Sequence, residues 1–225
     1  MCHNKFMKKS KYLLIPIVFL LTSCGEINIG FSDGDTHSAG FDRSVSSQNN
    51  DLPSFSYMNN MSLDNSGLTK ATLTFANMDK SVSDIQDLEK IQSFFNIDQA
   101  IISGVENPHH VGVKDGGPFY LGAESTYVLG ELTLKFNVNI KNVEITAKQY
   151  NYLDLSYNQD KLVVDEEVAI SVNDSGYIRV EGAVNQEEHT VASTVCAYRL
   201  SEQSDSISIK VGKRRAIIES IALYY

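Results

Sequence analysis

Few residues in this chain are of a type and spacing that could do chemistry. His109 and His110 are adjacent, with Asp115 five residues beyond. Two imidazoles and a carboxylate are zinc-ligating types. A zinc site, however, needs three or four ligands with supporting partners. Side chains adjacent in sequence also diverge in direction, so the competing reading is a polar loop, and no metal is expected. Paired carboxylates occur at Glu166-Glu167 and Glu187-Glu188. Glycoside hydrolysis uses two carboxyls facing each other across a sugar, from separate elements. Consecutive acids read instead as solvated charge. Cys196 lies in a strand-like run from Thr190 to Tyr198, where a thiol reads as a small core residue rather than a nucleophile. No glycine-rich phosphate loop, nucleophile elbow or His-Glu-x-x-His pattern is present. Lys213-Arg214-Arg215 is the one basic cluster of the folded part, expected in the hairpin before the last strand. The chain is therefore expected not to be an enzyme and to need no cofactor.

Aromatic residues are a better place to look for binding. Flat side chains stack on sugar faces, and the chain has 11 Tyr and no Trp. Tyr150 and Tyr152 flank a turn beside Asn151 and Asp154. This quartet is the candidate ligand-binding site. The competing reading is ordinary strand tyrosine on a half-buried surface.

The elements that must position these residues follow from charge and pattern. Lys5, Lys8, Lys9 and Lys11 open the chain, and no acid precedes Glu26. An apolar run of about ten residues follows, Tyr12 to Leu21. It is too short to span a bilayer, which takes about 20 residues, and matches a signal-peptide core. It ends in Leu21-Thr22-Ser23-Cys24. This tetrapeptide resembles the lipobox of bacterial lipoproteins. The resemblance implies cleavage before Cys24 and acylation of its thiol. Met7 would also serve as a start and gives a more usual basic leader. Residues 1–23 are thus expected to be a signal peptide. Their removal takes four lysines and no acids, so the net charge of −9 becomes −13. An acidic body of this kind argues against nucleic acid as a partner and is repelled by anionic headgroups. The expected location is the extracytoplasmic face of a cell or outer membrane, reached through the lipid. If an outer membrane exists, Gly25 rather than Asp after Cys24 suggests export to it.

From 24 to 66 more than half the residues are Ser, Asn, Asp or Gly, and no period of 2 or 3.6 survives. Such a segment buries too little apolar surface to offset its ordering entropy, so a flexible tether is expected. Asp33-Gly34-Asp35 lacks the further carboxylates of a calcium loop. Phe55, Tyr57, Met58 and Met61 are expected to dock on the domain.

The domain is expected over 67–225. The spacing of Ile85, Leu88, Ile91 and Phe95 predicts one short amphipathic helix near 81–95, with Ser81 or Ser83 as cap. Around ten alternating segments surround it, among them Val128–Asn137, Asn142–Gln149, Thr190–Leu200 and Ile207–Val211. This rhythm predicts an all-β fold, an antiparallel β-sandwich. Three runs carry a resemblance: Phe119-Tyr-Leu-Gly-Ala-Glu-Ser through Phe136, Val143-Glu-Ile-Thr-Ala-Lys148, and Ile207 through Tyr225. Together they resemble a jelly-roll module at the ends of secreted and surface proteins of Gram-positive bacteria and their relatives. The resemblance implies a non-catalytic, carbohydrate-binding-like sandwich over roughly 100–225. The expected function is a tethered binding module for a glycan or a surface protein. The alternative is a structural or assembly lipoprotein that pairs only with envelope proteins.

Overall fold

The computed structural model describes residues 55–75, 83–96, 101–114, 119–125, 128–156 and 160–225. The signal peptide, Cys24, the tether to residue 54, Ser81, Asp115 and Tyr157 lie outside the described residues.

The elements run β1 (Lys70–Phe75), α1 (Leu88–Ser93), β2 (Phe95–Asn96), β3 (Ile102–His109), β4 (Val111–Val113) and β5 (Phe119–Leu121). Next come β6 (Gly130–Gln149), β7 (Asn151–Asp154), β8 (Lys161–Val164), β9 (Ala169–Val172) and β10 (Ile178–Arg179). Last are β11 (Val184–Asn185), β12 (Thr190–Val191), β13 (Thr194–Gly212) and β14 (Ala216–Tyr224). All named strand pairs are antiparallel.

Two strands build the sandwich. β6 and β13 pair along nearly their whole lengths. Their one half, with β3, β9 and β10, forms the first layer. The other half, with β14, β1, β2 and the β4–β5 hairpin, forms the second. The expected all-β antiparallel sandwich is therefore the observed fold. Where four shorter strands were expected, the chain makes two long ones. The alternation is as expected: Leu132, Leu134 and Phe136, then Val143, Ile145 and Ala147, are all buried in the core. Tyr198 is fully buried and its hydroxyl donates to the Ile170 carbonyl at 2.6 Å, so the core tyrosine leaves no unmet polar group.

The strand pair changes layer through reciprocal bulges. From Arg199 to Ser204 β13 advances five residues while β6 moves only from Asn142 to Ile140. From Ser204 to Ser206 β13 advances two while β6 moves from Ile140 to Lys135. The surplus of three on one strand is cancelled by a surplus of three on the other. Register is thus the same in both layers, and inward residues stay inward.

The helix is shorter than its period suggested. Asp84 has φ of +52°, which no helix accommodates, and the Ile85 amide donates to Val111 at 2.8 Å. Asp87 therefore becomes the cap, its carboxylate accepting from the Lys90 amide at 3.1 Å. The far end stops because Phe95 pairs with Phe75. Ile85, Ile91 and Phe95 are buried as the spacing predicted, but Leu88 is exposed.

Side-chain amides guard open strand edges. Asn60 donates to the Val195 carbonyl at 2.5 Å and accepts from the Ala197 amide at 2.9 Å, imitating a strand neighbour for β13. Gln186 does the same for Leu162 of β8, at 3.1 and 3.0 Å. Covered edges cannot template pairing with another chain.

The segment from Phe55 lies along the sandwich as a strap. Met58 donates to the Tyr177 carbonyl at 2.9 Å, and the Tyr177 amide donates to Ser56 at 2.7 Å. The Phe55 ring meets Tyr177 edge-on, with centroids 4.9 Å apart. Of the expected docking residues, Phe55, Tyr57 and Met58 sit here, and Met61 further along is exposed.

Candidate functional site

The site begins with alternation in β5. Phe119 and Leu121 point into the core, so Tyr120 points out. Phe119 is held by Phe75, whose ring stacks on it at 4.9 Å. Tyr120 faces Gly112 across the β4–β5 ladder, and a Cβ there would overlap its ring. Only glycine at 112 lets the tyrosine lie flat across β4. Burial pushes the Tyr120 phenol upward, with the neighbouring Tyr150 adding to it.

Tyr150 occupies the one-residue link between β6 and β7. Its amide donates to the Arg215 carbonyl at 3.1 Å, and its ring meets Tyr120 edge-on at 5.1 Å. The Arg215 guanidinium lies 4.0 Å from the Tyr150 ring centre, and the Lys114 ammonium 5.5 Å. Arg215 is fixed by Asp165, a buried carboxylate, through a two-pronged contact: Nε to Oδ2 at 2.7 Å and the second nitrogen to Oδ1 at 3.0 Å. The Asp165 amide donates back to Tyr150 at 2.8 Å. Gln149 braces this cluster, donating to the Asp165 carbonyl and accepting from the Gly182 amide. Lys114 donates to the Asn151 carbonyl at 2.5 Å. Its burial, with Lys148 and Arg215 nearby, lowers the ammonium pKa.

Beside this stack opens a groove of about 280 Å³, lined by Asp84, His110, Tyr120, Gly122, Glu124 and Arg215 among others. It offers one aromatic ring, two carboxylates, an imidazole and a guanidinium. Two larger hollows, of about 410 Å³ under β8 and about 590 Å³ at the β13 bulge, have no aromatic ring in their linings.

The structure does not gather the four candidate residues into one surface. Tyr150 is half-buried in the stack just described. Asn151 is turned to the other side of the hairpin, its side-chain amide donating to Gln149 at 3.1 Å. Tyr152 and Asp154 share a face of the β7–β8 hairpin, opposite Val163 and Lys161. Tyr152 is exposed. Asp154 accepts from the Ser156 amide at 2.9 Å, and the Ser156 hydrogen bonds lower its pKa. Tyr120, Arg215 and Asp165 are the partners that sequence reasoning missed. The outward position of Tyr120 between Phe119 and Leu121 was the available signal.

The His109 and His110 rings are 4.3 Å apart, and His110 Nδ1 is 3.9 Å from Asp84. Among the described residues, no group of three or more His, Cys, Asp or Glu is placed to hold a metal. Glu166 and Glu167 are exposed, Glu167 lying 3.6 Å from Lys213. Glu187 and Glu188 are exposed in the β11–β12 turn, their amides donating to Asn185. Cys196 is fully buried, and burial pushes its thiol up to about 12. A thiol so raised carries almost no thiolate at neutral pH and is inert as a nucleophile.

No protein-family model matches the sequence, and no curated protein matches it. Two solved structures are similar over most of their length. Both are mutants of CBM29-2, a family 29 carbohydrate binding module. One aligns with a TM-score of 0.35 at 14% identity, over 70% of this chain and 92% of its own. The other aligns with a TM-score of 0.34 at 13% identity, over 69% and 91%.

Proposed function

We propose that this protein is a lipid-anchored, extracytoplasmic lipoprotein whose sandwich is a non-catalytic binding module for glycans. The carrying observation is the groove beside the Tyr120–Tyr150–Arg215 stack. A sugar ring can lay its C–H face on the Tyr120 ring while its hydroxyls donate to Asp84 and Glu124. The stack is braced by a buried ion pair, so its rings are held ready at small entropic cost on binding. The inert Cys196 thiol and the solvated glutamate pairs favour binding over turnover.

The test is a glycan array followed by calorimetry on the full chain. Tyr120→Ala is expected to weaken the best glycan roughly tenfold, equivalent to about 1.4 kcal/mol. Tyr152→Ala, outside the lining of the groove, is expected to leave it unchanged. Binding to no glycan, or equal binding by Tyr120→Ala, would sink the proposal.

One observation favours a second reading, an assembly lipoprotein that pairs with envelope proteins. Leu153 and Leu155, two residues apart at the end of β7, are both exposed large apolar residues, and neighbouring exposed apolar side chains mark protein contacts. A stable partner crosslinked at Leu155, with no glycan bound, would move the assignment there.

A further inference from the structure

On the outer face of the first layer, β9 and β13 place three small residues together. Gly212 of β13 pairs with Ala169 of β9, and Lys210 pairs with Ser171. Ile170 and Val172 point into the core, so Ala169 and Ser171 must point outward. Both are nevertheless fully buried. Over the Gly212–Ala169 pair the cover comes from the strap, and Ser171 lies one step along the same face, beside Lys210. A Cβ at Gly212 would overlap the Phe55 ring, which therefore lies directly on the glycine backbone. Tyr177 meets that ring edge-on at 4.9 Å, and the Lys213 ammonium stands 5.3 Å from its centre. The result is a trough shaped for one flat ring, filled by a ring from the strap.

Phe55 fits the trough in shape but not in chemistry. The Ser171 hydroxyl is buried without a hydrogen-bond partner among the described residues. Leaving a buried hydroxyl unsatisfied is costly, and a phenyl ring has no group with which to answer it. A pyranose has the same disc shape, apolar C–H faces, and hydroxyls around its rim. It would cover Gly212 as the phenyl does and hydrogen-bond Ser171 as the phenyl cannot.

We infer that this trough is a second carbohydrate subsite, closed by Phe55 in the present state and opened when a neutral sugar ring displaces it. The inference rests on the glycan-binding reading but uses different residues from the Tyr120 groove. The strap is suited to exchange. Two backbone hydrogen bonds tie Ser56 and Met58 to Tyr177, and two from Asn60 tie the strap to β13, so Phe55 can swing out from a held strap. A ligand has to replace its contacts with Gly212, Tyr177 and Lys213 and supply the missing hydroxyl bond.

The probe is cellotetraose, whose all-equatorial rings present flat C–H faces. Calorimetry on the full chain is expected to show Phe55→Ala binding it at least tenfold tighter than the unaltered protein. Adding Ser171→Ala to Phe55→Ala should remove that gain, whereas adding Tyr120→Ala should leave it. In the unaltered protein, saturating cellotetraose should quicken hydrogen exchange at the Met58 amide, which is hydrogen-bonded to Tyr177. This last measurement stands even if Phe55→Ala folds poorly. If the unaltered protein binds through Tyr120 while Phe55→Ala gains nothing and Met58 exchange is unchanged, the trough is only a packing site. If neither protein binds any glycan, both readings fall. A gain in Phe55→Ala with no contribution from Tyr120 would keep the trough and remove the groove.

Discussion

Arg215 divides its guanidinium between two tasks. Its edge meets both oxygens of Asp165 and its face lies on Tyr150. The side chains of Asp165 and Arg215 are 4% and 16% exposed, so the pair is largely out of water. Removing one partner of such a pair strands a buried charge, whereas replacing both with apolar groups of similar volume is often harmless. Arg215→Ala is therefore expected to cost about 3 kcal/mol in urea unfolding, at an unchanged denaturant slope. Arg215→Met combined with Asp165→Leu should recover most of that loss. A single-mutant loss near zero would mean that the pair is solvated. Little of this was legible in the sequence. Asp165 and Arg215 are far apart in the chain, and Arg215 stands in a basic run that reads as harmless hairpin charge. Glu166 and Glu167 form the more conspicuous pair, yet they are exposed beside Asp165, the one buried acid among the described residues. Burial depends on what folds over a residue, and side-chain type alone does not carry that. The inward or outward sense of each strand residue was legible, because it depends only on local alternation.

At the scale of elements, the matched bulges of β6 and β13 are the feature on which both layers depend. Deleting Ser201, Glu202 and Gln203 would remove the surplus on β13 and leave that on β6. Leu200 and Ile207 would then stand four apart on one face, while Phe136 and Val143 would still stand seven apart. Pairing carried regularly past the bulge would therefore slip by three, an odd number, and turn Leu132, Leu134 and Phe136 of β6 toward solvent. The deletion is expected to abolish cooperative unfolding in circular dichroism melts. Deleting Asn137, Val138 and Asn139 as well should restore it, because the two surpluses vanish together. A single deletion that melts like the unaltered chain would show that the register is held elsewhere. The sequence shows why this was hidden. The polar stretch Ser201–Ser206 resembles a turn between two strands, and a turn is what alternation alone predicts there. Only the partner strand reveals that the chain continues straight through. The helix shows the same limit on a smaller scale. Its apolar spacing was readable, but its start was displaced to Asp87 by the hydrogen bond between Ile85 and Val111.

For the whole molecule, charge and anchor must be considered together. Without residues 1–23 the chain carries −13. On the proposed reading a chain so acidic is repelled by an anionic leaflet, so its charge adds no attraction to the membrane. Each buried methylene of an acyl chain contributes about 0.8 kcal/mol, one chain gives marginal binding, and two give stable anchoring. On the proposed reading, all membrane affinity thus resides at Cys24. Cys24→Ala should move the protein from the detergent phase to the aqueous phase in a detergent-partition assay. It should also abolish incorporation of labelled palmitate. Raising salt should release none of the unaltered protein, because acyl burial is not screened, whereas charge-driven binding is weakened by salt. A Cys24→Ala protein that stays with washed membranes would show that the sandwich, through a surface such as the exposed Tyr152–Leu155 strip, holds the membrane or one of its proteins directly.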